Sequence, residues 1–523
     1  MPKKFNITGT CLPHLHYMMD NGAKLAEVME MIEAGAYFTI NRPRQYGKTT
    51  TLAALYKQLE AHPDFIAISL DLQGKDASWF ESDTQLAQLF VRQMHRDLKR
   101  SHPELAQVVE PGVFQSGNLD DLSDQISDLV AVTDQKLVLL IDEVDSSSNY
   151  DSFLRFLAML RRKYLRQLEM RDETFHSVIL AGVHDIKSLK LKVREGQEGQ
   201  YNSPWNIAAD FEVEMSFRPH EIAPMLVQYS EAEQVEIDVA WFAERLYYYT
   251  SGYPFLVSKL CKTIAEKLTP KKSERHWTPG DLEEAVQMLL RENNTLFTSL
   301  IKNLENNPDL YSLTQDIIIN GSHVPFNPHE PVISLGRLYG VFRQNGTVKV
   351  HNRIYEQVLY DYLTAKMYQA KLAEGKSEFL IGIYEKPDGS LDLEKVLLRF
   401  QQFLREQYSA KDQKFLERQW RLVFLAFFKP ILNGKGHDFK EAQISDEKRL
   451  DVVATYLQHK YIIELKRWYG PSYHQKGLDQ LADYLDRQGV DEGYLIIFEG
   501  TREKSQRQEW IEHRGKRVFA VWV

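Results

Sequence analysis

A chain of 523 residues with 43% hydrophobic and 26% charged residues is long and apolar enough for several globular domains, which excludes a disordered or fibrous protein. Its formal net charge of −9 excludes a protein that coats nucleic acid with its whole surface, so any such contact must be local. Only Cys11 and Cys261 are present, too few for a disulfide framework or a zinc cluster. With no apolar signal core at Met1–Asn6 and no apolar run of about 18 residues, a cytoplasmic protein without membrane partners is expected.

Taken in chain order, the first 200 residues alternate strands and helices. Tyr37–Asn41 reads as a strand, Thr49–Ala61 as a helix and Phe65–Leu72 as a second strand. Thr84–Lys99 is an amphipathic helix, with Leu86, Leu89, Phe90 and Met94 at helical spacing. Lys136–Ile141 is apolar from Leu137 onward, as expected of a parallel strand covered on both faces, and is followed by a helix at Tyr150–Met170 and a strand at Ser177–Ala181. This alternation predicts a parallel α/β sheet. After Met215 the pattern turns helical: His220–Tyr229, Val239–Thr250, Pro254–Lys267 and Pro279–Asn293. More helices, then a β-like run Thr347–His351 behind the Asn345-Gly346 turn, suggest a winged helix. Residues 371–390 are the best linker. The last part predicts helices at Leu391–Gln407 and Asp412–Leu432, strands at Leu450–Thr455 and Tyr461–Leu465, a helix at Tyr473–Gln488, and strands at Gly493–Phe498 and Arg517–Val523.

Two patterns carry chemistry. In the first, Arg42-Pro43-Arg44-Gln45-Tyr46-Gly47-Lys48-Thr49-Thr50 lies between a strand and a helix, where backbone N–H groups can cradle phosphates. Residues Arg44 to Thr50 are the candidate nucleotide loop: Gly47 allows close approach, Lys48 contacts the β/γ-phosphates and Thr49 binds Mg²⁺. Arg42 stands where the usual first glycine would be. Downstream, the apolar strand runs into Asp142-Glu143-Val144-Asp145, so that Asp142 can hold the Mg²⁺ shell and Glu143 can polarise an attacking water.

These passages, with the entry segment Phe5–Tyr17 and Ser251-Gly252-Tyr253-Pro254-Phe255, resemble the AAA-like ATPases of the STAND group that carry a Gly-x-Pro signature. The resemblance spans roughly residues 5–365 and implies a helical lid, a winged helix and Pro254 near the adenine. His184-Asp185 is either a γ-phosphate sensor or an ordinary strand-end pair. Arg161 and Arg162 are either a finger in trans or a solvated basic face, and His14, His16 and Tyr17 are candidates to pack around the base.

The second pattern is Asp451 on one strand and Glu464-Leu465-Lys466 on the next. Residues i and i+2 of a strand share a face, so Glu464 and Lys466 do, and Asp451 can meet them from the paired strand. Two carboxylates there can hold Mg²⁺ (or Mn²⁺) for in-line attack on a phosphodiester, with the lysine positioning water. This pattern resembles the PD-(D/E)xK nuclease superfamily, in the branch fused to AAA-like ATPases. The resemblance adds Glu417 as a metal ligand on the preceding helix and Gln480/Tyr484 as a Gln-xxx-Tyr element. Local charge supports it: residues 429–476 carry a net +3, and Arg502, Lys504, Arg507, Arg514, Lys516 and Arg517 form a second basic cluster. Trp468 and Tyr469 either stack on a base or cover the sheet edge.

The expected protein is therefore an α/β multidomain chain: a P-loop NTPase parallel sheet (1–218) with helical lid (219–295) and winged helix (296–370), a linker (371–390), and a PD-(D/E)xK restriction-endonuclease-like α/β domain (391–523). The expected function is an ATP-binding, nucleotide-regulated, Mg²⁺-dependent nuclease acting on DNA rather than RNA, assembling as a homo-oligomer on a phage or cellular trigger in antiviral defence. The alternatives are an ATP-driven translocating nuclease and a non-catalytic nucleotide-switched scaffold.

Overall fold

The structure, a computed structural model, describes residues 2–112, 114, 117–147, 150–183, 205–273, 275–318, 322–373, 384–407, 420–421, 423–425, 427–428, 431–432, 436–441, 450–499 and 507–523. It has two compact units, Met1–Arg291 with Leu338–Gly340, and Glu292–Arg337 with Val341–Val523.

The first unit is built on four parallel strands, β1 (Tyr37–Asn41), β2 (Phe65–Asp71), β3 (Lys136–Asp142) and β4 (Ser177–Gly182), in the order β1-β4-β3-β2. A parallel bridge between Phe38 and Ala209 extends the β1 edge. The period of two along β3 feeds two cores. Val138 and Leu140 pack with Leu55, Leu59, Val28 and Ile32, from helices Lys48–Glu60 and Gly22–Glu33. Leu137, Leu139 and Ile141 pack with Phe90, Leu122 and Phe156, from helices Asp83–Ser101, Leu119–Ala131 and Asp151–Leu168. Both faces of the sheet are covered, which is why its strands read as apolar runs rather than alternating ones. The register aligns Asn41 with Gly182 and Asp71 with Asp142, so the strand ends that carry the chemistry form one edge.

A buried lysine pins the last of these helices. Lys163 is fully buried and donates to Ser127 (2.6 Å) and Asp172 (2.9 Å). Burial pushes the Asp172 carboxyl up, but hydrogen bonds from Lys163 and Ser127 outweigh this and hold it below its ordinary value. A depressed carboxylate stabilises the fold above its unfolded pKa, and that stability is lost as pH falls through the folded one. Asp172→Asn is expected to cost about 3 kcal/mol at neutral pH, by stranding a buried ammonium, and to flatten acid unfolding of this unit. Urea melts at pH 7 and pH 3 check this; equal losses at both would contradict it.

Four helices, Pro219–Glu233, Val239–Thr250, Pro254–Thr263 and Pro279–Leu290, follow in the same unit. The third passes into a π-helical turn at Ile264–Leu268, ending the α-helix four residues before the expected Lys267. Tyr229 and Trp277 anchor this bundle, and the entry segment packs on it: Phe5 lies 5.0 Å and Tyr17 5.4 Å from the Tyr229 ring.

In the second unit, helices Thr295–Glu305 and Pro308–Ile318 precede a hairpin of β5 (Phe342–Asn345) and β6 (Thr347–Val350), with Gly346 at φ 68° in the turn. The helix Arg353–Ala373 runs into the segment read as linker. At its end residues 384–390 turn back, and the next residue, Leu391, bridges to Glu385 and donates its N–H to the Tyr461 hydroxyl (2.6 Å).

The last domain is a six-stranded sheet in the order β11-β12-β10-β9-β8-β7. Here β7 (Gly436–Glu441), β8 (Leu450–Tyr456) and β9 (His459–Arg467) form an antiparallel meander. The helix Pro471–Gln488 then crosses over to β10 (Glu492–Phe498), parallel to β9. β12 (Lys516–Trp522) lies parallel to β10, and β11 (Gln508–His513) closes the edge antiparallel to β12. Leu478, Leu481 and Leu485 of the crossover helix pack on Ile462, Leu495 and Ile497. β7 and β11 were not expected. Both are edge strands of mostly polar composition, with a pairing partner on one side only. The expected second helix, Asp412–Leu432, is described only at 420–421, 423–425, 427–428 and 431–432, where it is helical.

Candidate functional site

The loop from β1 enters its helix through two left-handed residues, Gln45 (φ 58°) and Gly47 (φ 86°). Across the sheet edge Glu143, directly after β3, is also left-handed (φ 56°). Each non-glycine residue held this way costs about 1 kcal/mol or more, and such strain gathers where geometry is imposed for chemistry. Lys48 donates to the carbonyls of Arg42 (2.8 Å) and Pro43 (3.0 Å) inside the loop. Burial pulls its ammonium below the usual range, against the charges of Asp145, Glu143 and Asp142. Burial raises the Asp142 carboxyl, against hydrogen bonds from the Thr49 hydroxyl and the Glu143 N–H. Glu143 is raised by burial and then by Asp142. Lys48, Thr49, Asp142 and Glu143 therefore converge. A hydroxyl already bonded to a carboxylate is a hard oxygen pair that fits Mg²⁺.

The remaining loop residues divide. Arg42, where a glycine was expected, has its guanidinium bound to the carbonyls of Val213 (2.7 Å) and Asn41 (2.9 Å) and set over the Phe211 ring (5.1 Å). That anchorage keeps the side chain occupied while its carbonyl serves Lys48. Arg44 and Gln45 are exposed. The Tyr46 hydroxyl meets Ser216 (2.5 Å), and burial pushes it up to about 12. Thr50 accepts the Cys11 N–H (3.1 Å), so its hydroxyl is engaged by the entry loop.

The Gly-x-Pro element lies directly on this loop. Tyr253 donates its hydroxyl to the Arg44 carbonyl and meets Tyr46 edge-on at 4.6 Å. Pro254 Cγ comes within 3.9 Å of a Cβ built on Gly47. Gly252 sits at φ 72°, and a Cβ on it would lie 2.1 Å from the Phe217 carbonyl oxygen. Gly252→Ala is therefore expected to destabilise this docking by about 2 kcal/mol or more. Faster amide exchange over 239–263 would register it; unchanged exchange would contradict it.

Two residues at this edge had no assigned role. Asp145 accepts the Val183 N–H (2.6 Å), and a Cβ on Gly182 would come within 2.7 Å of Val144 Cγ2, so the acidic turn and the end of β4 are mutually fitted. Asp71 adds its charge to Asp142 from the neighbouring strand. The only sequence signal for Asp71 was an aspartate ending an apolar strand, as at Asp142. The secondary candidates fare unevenly. Arg162 pairs with Asp120 (2.8 Å), as a solvated face would. His16 accepts the Leu12 N–H (2.8 Å) and Tyr17 packs in the Phe5–Tyr229 cluster. His184 and Asp185 lie outside the described residues.

In the last domain the β8–β9 register sets Asp451 directly opposite Glu464. Glu464 is 2% and Lys466 7% exposed, with Nζ 3.5 Å from Oε1. Lys466 also donates to Gln480 Oε1 (3.4 Å) on the crossover helix. Asp451 is placed here by its strand position, and Glu417 lies outside the described residues. Among the described residues no three or more His, Cys, Asp or Glu gather as a metal cluster. Asp451 and Glu464 bring carboxylate oxygens, hard donors of the kind that suit Mg²⁺ or Mn²⁺, to facing positions of the ladder. Arg421 donates to the Leu465 carbonyl (3.4 Å), between Glu464 and Lys466 on β9. Trp468 packs at 5.6 Å from His474, whereas Tyr469 is exposed.

The second basic cluster is corrected by its partners. Arg514 pairs with Asp483 (2.7 Å), Lys516 with Asp486 (3.0 Å) and Asp491 (2.8 Å), Arg517 with Glu492 (2.9 Å), and Arg507 with Glu509 (2.8 Å). Acidic residues near in space, mostly distant in sequence, neutralise it, so these four are not an uncompensated phosphate patch. Arg502 and Lys504 lie outside the described residues.

The family described as AAA-like domain matches residues 15–361. No curated protein matches the chain. Solved structures similar to it include the Walker-type ATPase PABY2304 of Pyrococcus abyssi, at 12% identity over 68% of this chain and 99% of that one, TM-score 0.46. Others are the Aeropyrum pernix ORC1 protein in complex with DNA (12%, 68% and 94%, TM-score 0.32) and the Thermotoga maritima RuvB Holliday junction branch migration motor (12%, 69% and 96%, TM-score 0.33). Among the described residues no helix is long and apolar enough to cross a membrane.

Proposed function

As the chain belongs to the AAA-like domain family, we propose that its P-loop unit binds ATP with Mg²⁺ as a switch, and that the switch licenses a Mg²⁺-dependent nuclease in residues 391–523. The observation that carries the nuclease half is the buried Glu464–Lys466 pair with Asp451 directly across the ladder. A strand that buries a carboxylate and an ammonium side by side incurs a desolvation penalty that a structural role need not impose. Support also comes from the order of the sheet, an antiparallel meander followed by a helical crossover into a parallel strand.

In the nucleotide site Lys48 would neutralise phosphate charge, Thr49 and Asp142 would hold Mg²⁺, and Glu143 would orient the attacking water. Residues Arg44 to Gly47 form the loop wall, Thr50 braces the entry segment, and Pro254 borders the base. In the second site Asp451 and Glu464, with Glu417, would hold Mg²⁺ or Mn²⁺, which would stabilise the charge developing on the scissile phosphate and its leaving oxygen. Lys466 holds the attacking water. The proposed domains are a core (1–218), lid (219–295), winged helix (296–370), linker (371–390) and nuclease (391–523). A STAND-type switch of this design acts in the cytoplasm as a homo-oligomer, cutting DNA on a phage or cellular trigger.

Plasmid DNA incubated with the purified chain tests this. Cleavage is expected with Mg²⁺ and ATP, and none with EDTA. No cleavage of plasmid, single-stranded DNA or RNA in any nucleotide state would overturn the nuclease half.

A further inference from the structure

Helices disfavour glycine more than any residue but proline, yet Gly477 lies mid-helix in Pro471–Gln488. Conformation does not call for it, since Gly477 is not among the glycines with positive φ. Space does. A Cβ at 477 would lie 2.4 Å from Lys466 Nζ and 3.0 Å from its Cδ and Cε. No L side chain tolerates those distances. The missing side chain leaves a slot in the helix surface, and the end of Lys466 occupies it.

We propose that Gly477 is a positioning residue that sets the Lys466 ammonium between Glu464 and Gln480. The proposal rests on the nuclease reading for its functional consequence. Glu464 Oε1 lies 3.5 Å from the ammonium along the same strand and Gln480 Oε1 3.4 Å from it one helical turn past the slot, with the bare 477 backbone beneath. Gln480 lies three residues after Gly477, so the two share a helix face. With the side chain 8% exposed, the ammonium has no solvent into which to retreat unchanged. The clashing atoms are the end of a flexible side chain, so an added methyl displaces Lys466 rather than the helix. Elsewhere the same helix uses a glycine of the sheet: a Cβ on Gly493 of β10 would lie 2.8 Å from Leu485. Close approach at 493 seats the helix, and the slot at 477 receives the lysine.

Gly477→Ala in the full-length chain tests this without removing a functional group. Its kcat for Mg²⁺-dependent plasmid cleavage is expected to fall about 10- to 100-fold with KM unchanged, because a displacement near 1 Å disrupts alignment but not binding. Wild-type kcat in this variant would overturn the proposal. A thermal-midpoint cycle with Lys466→Ala reads the slot independently of activity. Gly477→Ala should raise the midpoint in the Lys466→Ala background, where only helix propensity remains, and lower it in the wild-type background. Equal shifts in both would overturn the positioning role. If wild type cleaves nothing, the nuclease reading falls by itself and the cycle still decides the slot.

Discussion

Replacing Glu464 with glutamine, or Lys466 with methionine, is expected to lower Mg²⁺-dependent DNA cleavage about 10²- to 10⁴-fold while ATP binding stays at the wild-type level. Glutamine keeps the shape of Glu464 but gives up the charge that draws a cation. Methionine keeps most of the lysine stem but cannot hold a water by charge. The pair is nearly sealed from solvent, so truncating one partner also strands the other. A single substitution that breaks a buried pair costs about 3–5 kcal/mol. Loss of activity must therefore be separated from loss of fold. The double variant Glu464→Gln/Lys466→Met removes both charges and is expected to melt at or above the wild-type midpoint, yet to be inactive. Cleavage at the wild-type rate by any of the three would overturn the assignment of this site. An inactive double variant that also melts early would assign the pair to stability.

The second large effect is at Lys48. ATP with Mg²⁺ is expected to raise the melting midpoint of the first unit, since a ligand at 100 times its Kd adds about 2.7 kcal/mol. Lys48→Ala should abolish that rise. The ammonium that donates to the Arg42 and Pro43 carbonyls is the group proposed to meet phosphate, and hydrogen bonds to a charged group are worth about 1.5–3 kcal/mol each. Affinity should drop about 100-fold or more, and the ATP-dependent part of DNA cleavage should go with it. Glu143→Gln is the contrasting variant. It should keep the midpoint rise and lose turnover, which separates a nucleotide-bound switch from a hydrolysing motor. A full ATP-induced shift in Lys48→Ala would remove Lys48 from the site.

Much of the first site was legible in the residues. A Gly-Lys-Thr loop between strand and helix, and an Asp-Glu pair ending an apolar strand, are local patterns, and the sheet brings them together as its order requires. Arg42 was legible only as a departure. Its anchorage to Val213 spans 171 residues, which no window of sequence can expose. Thr50 was legible as part of the loop, but not that its hydroxyl accepts an N–H from Cys11, 39 residues upstream.

In the last domain the spacing of Asp451 and Glu464 foretold an antiparallel pair, and the register sets them opposite one another. The basic cluster misled for a related reason. Composition counts charges along the chain, whereas the field at the surface depends on what faces them. Asp483, Asp486, Asp491 and Glu492 do so across the helix and the sheet edge.

By itself the sequence determined what depends on near neighbours: strand and helix periods, the phosphate loop, the acidic strand end and the Asp–Glu–Lys spacing. Only the tertiary structure decided the edge strands β7 and β11, the partners of Arg42 and Thr50, the neutralised basic cluster and the slot at Gly477. Periodicity follows from bond geometry repeated along the chain. Charge pairing, edge pairing and free space are set by groups that meet only after the chain has packed.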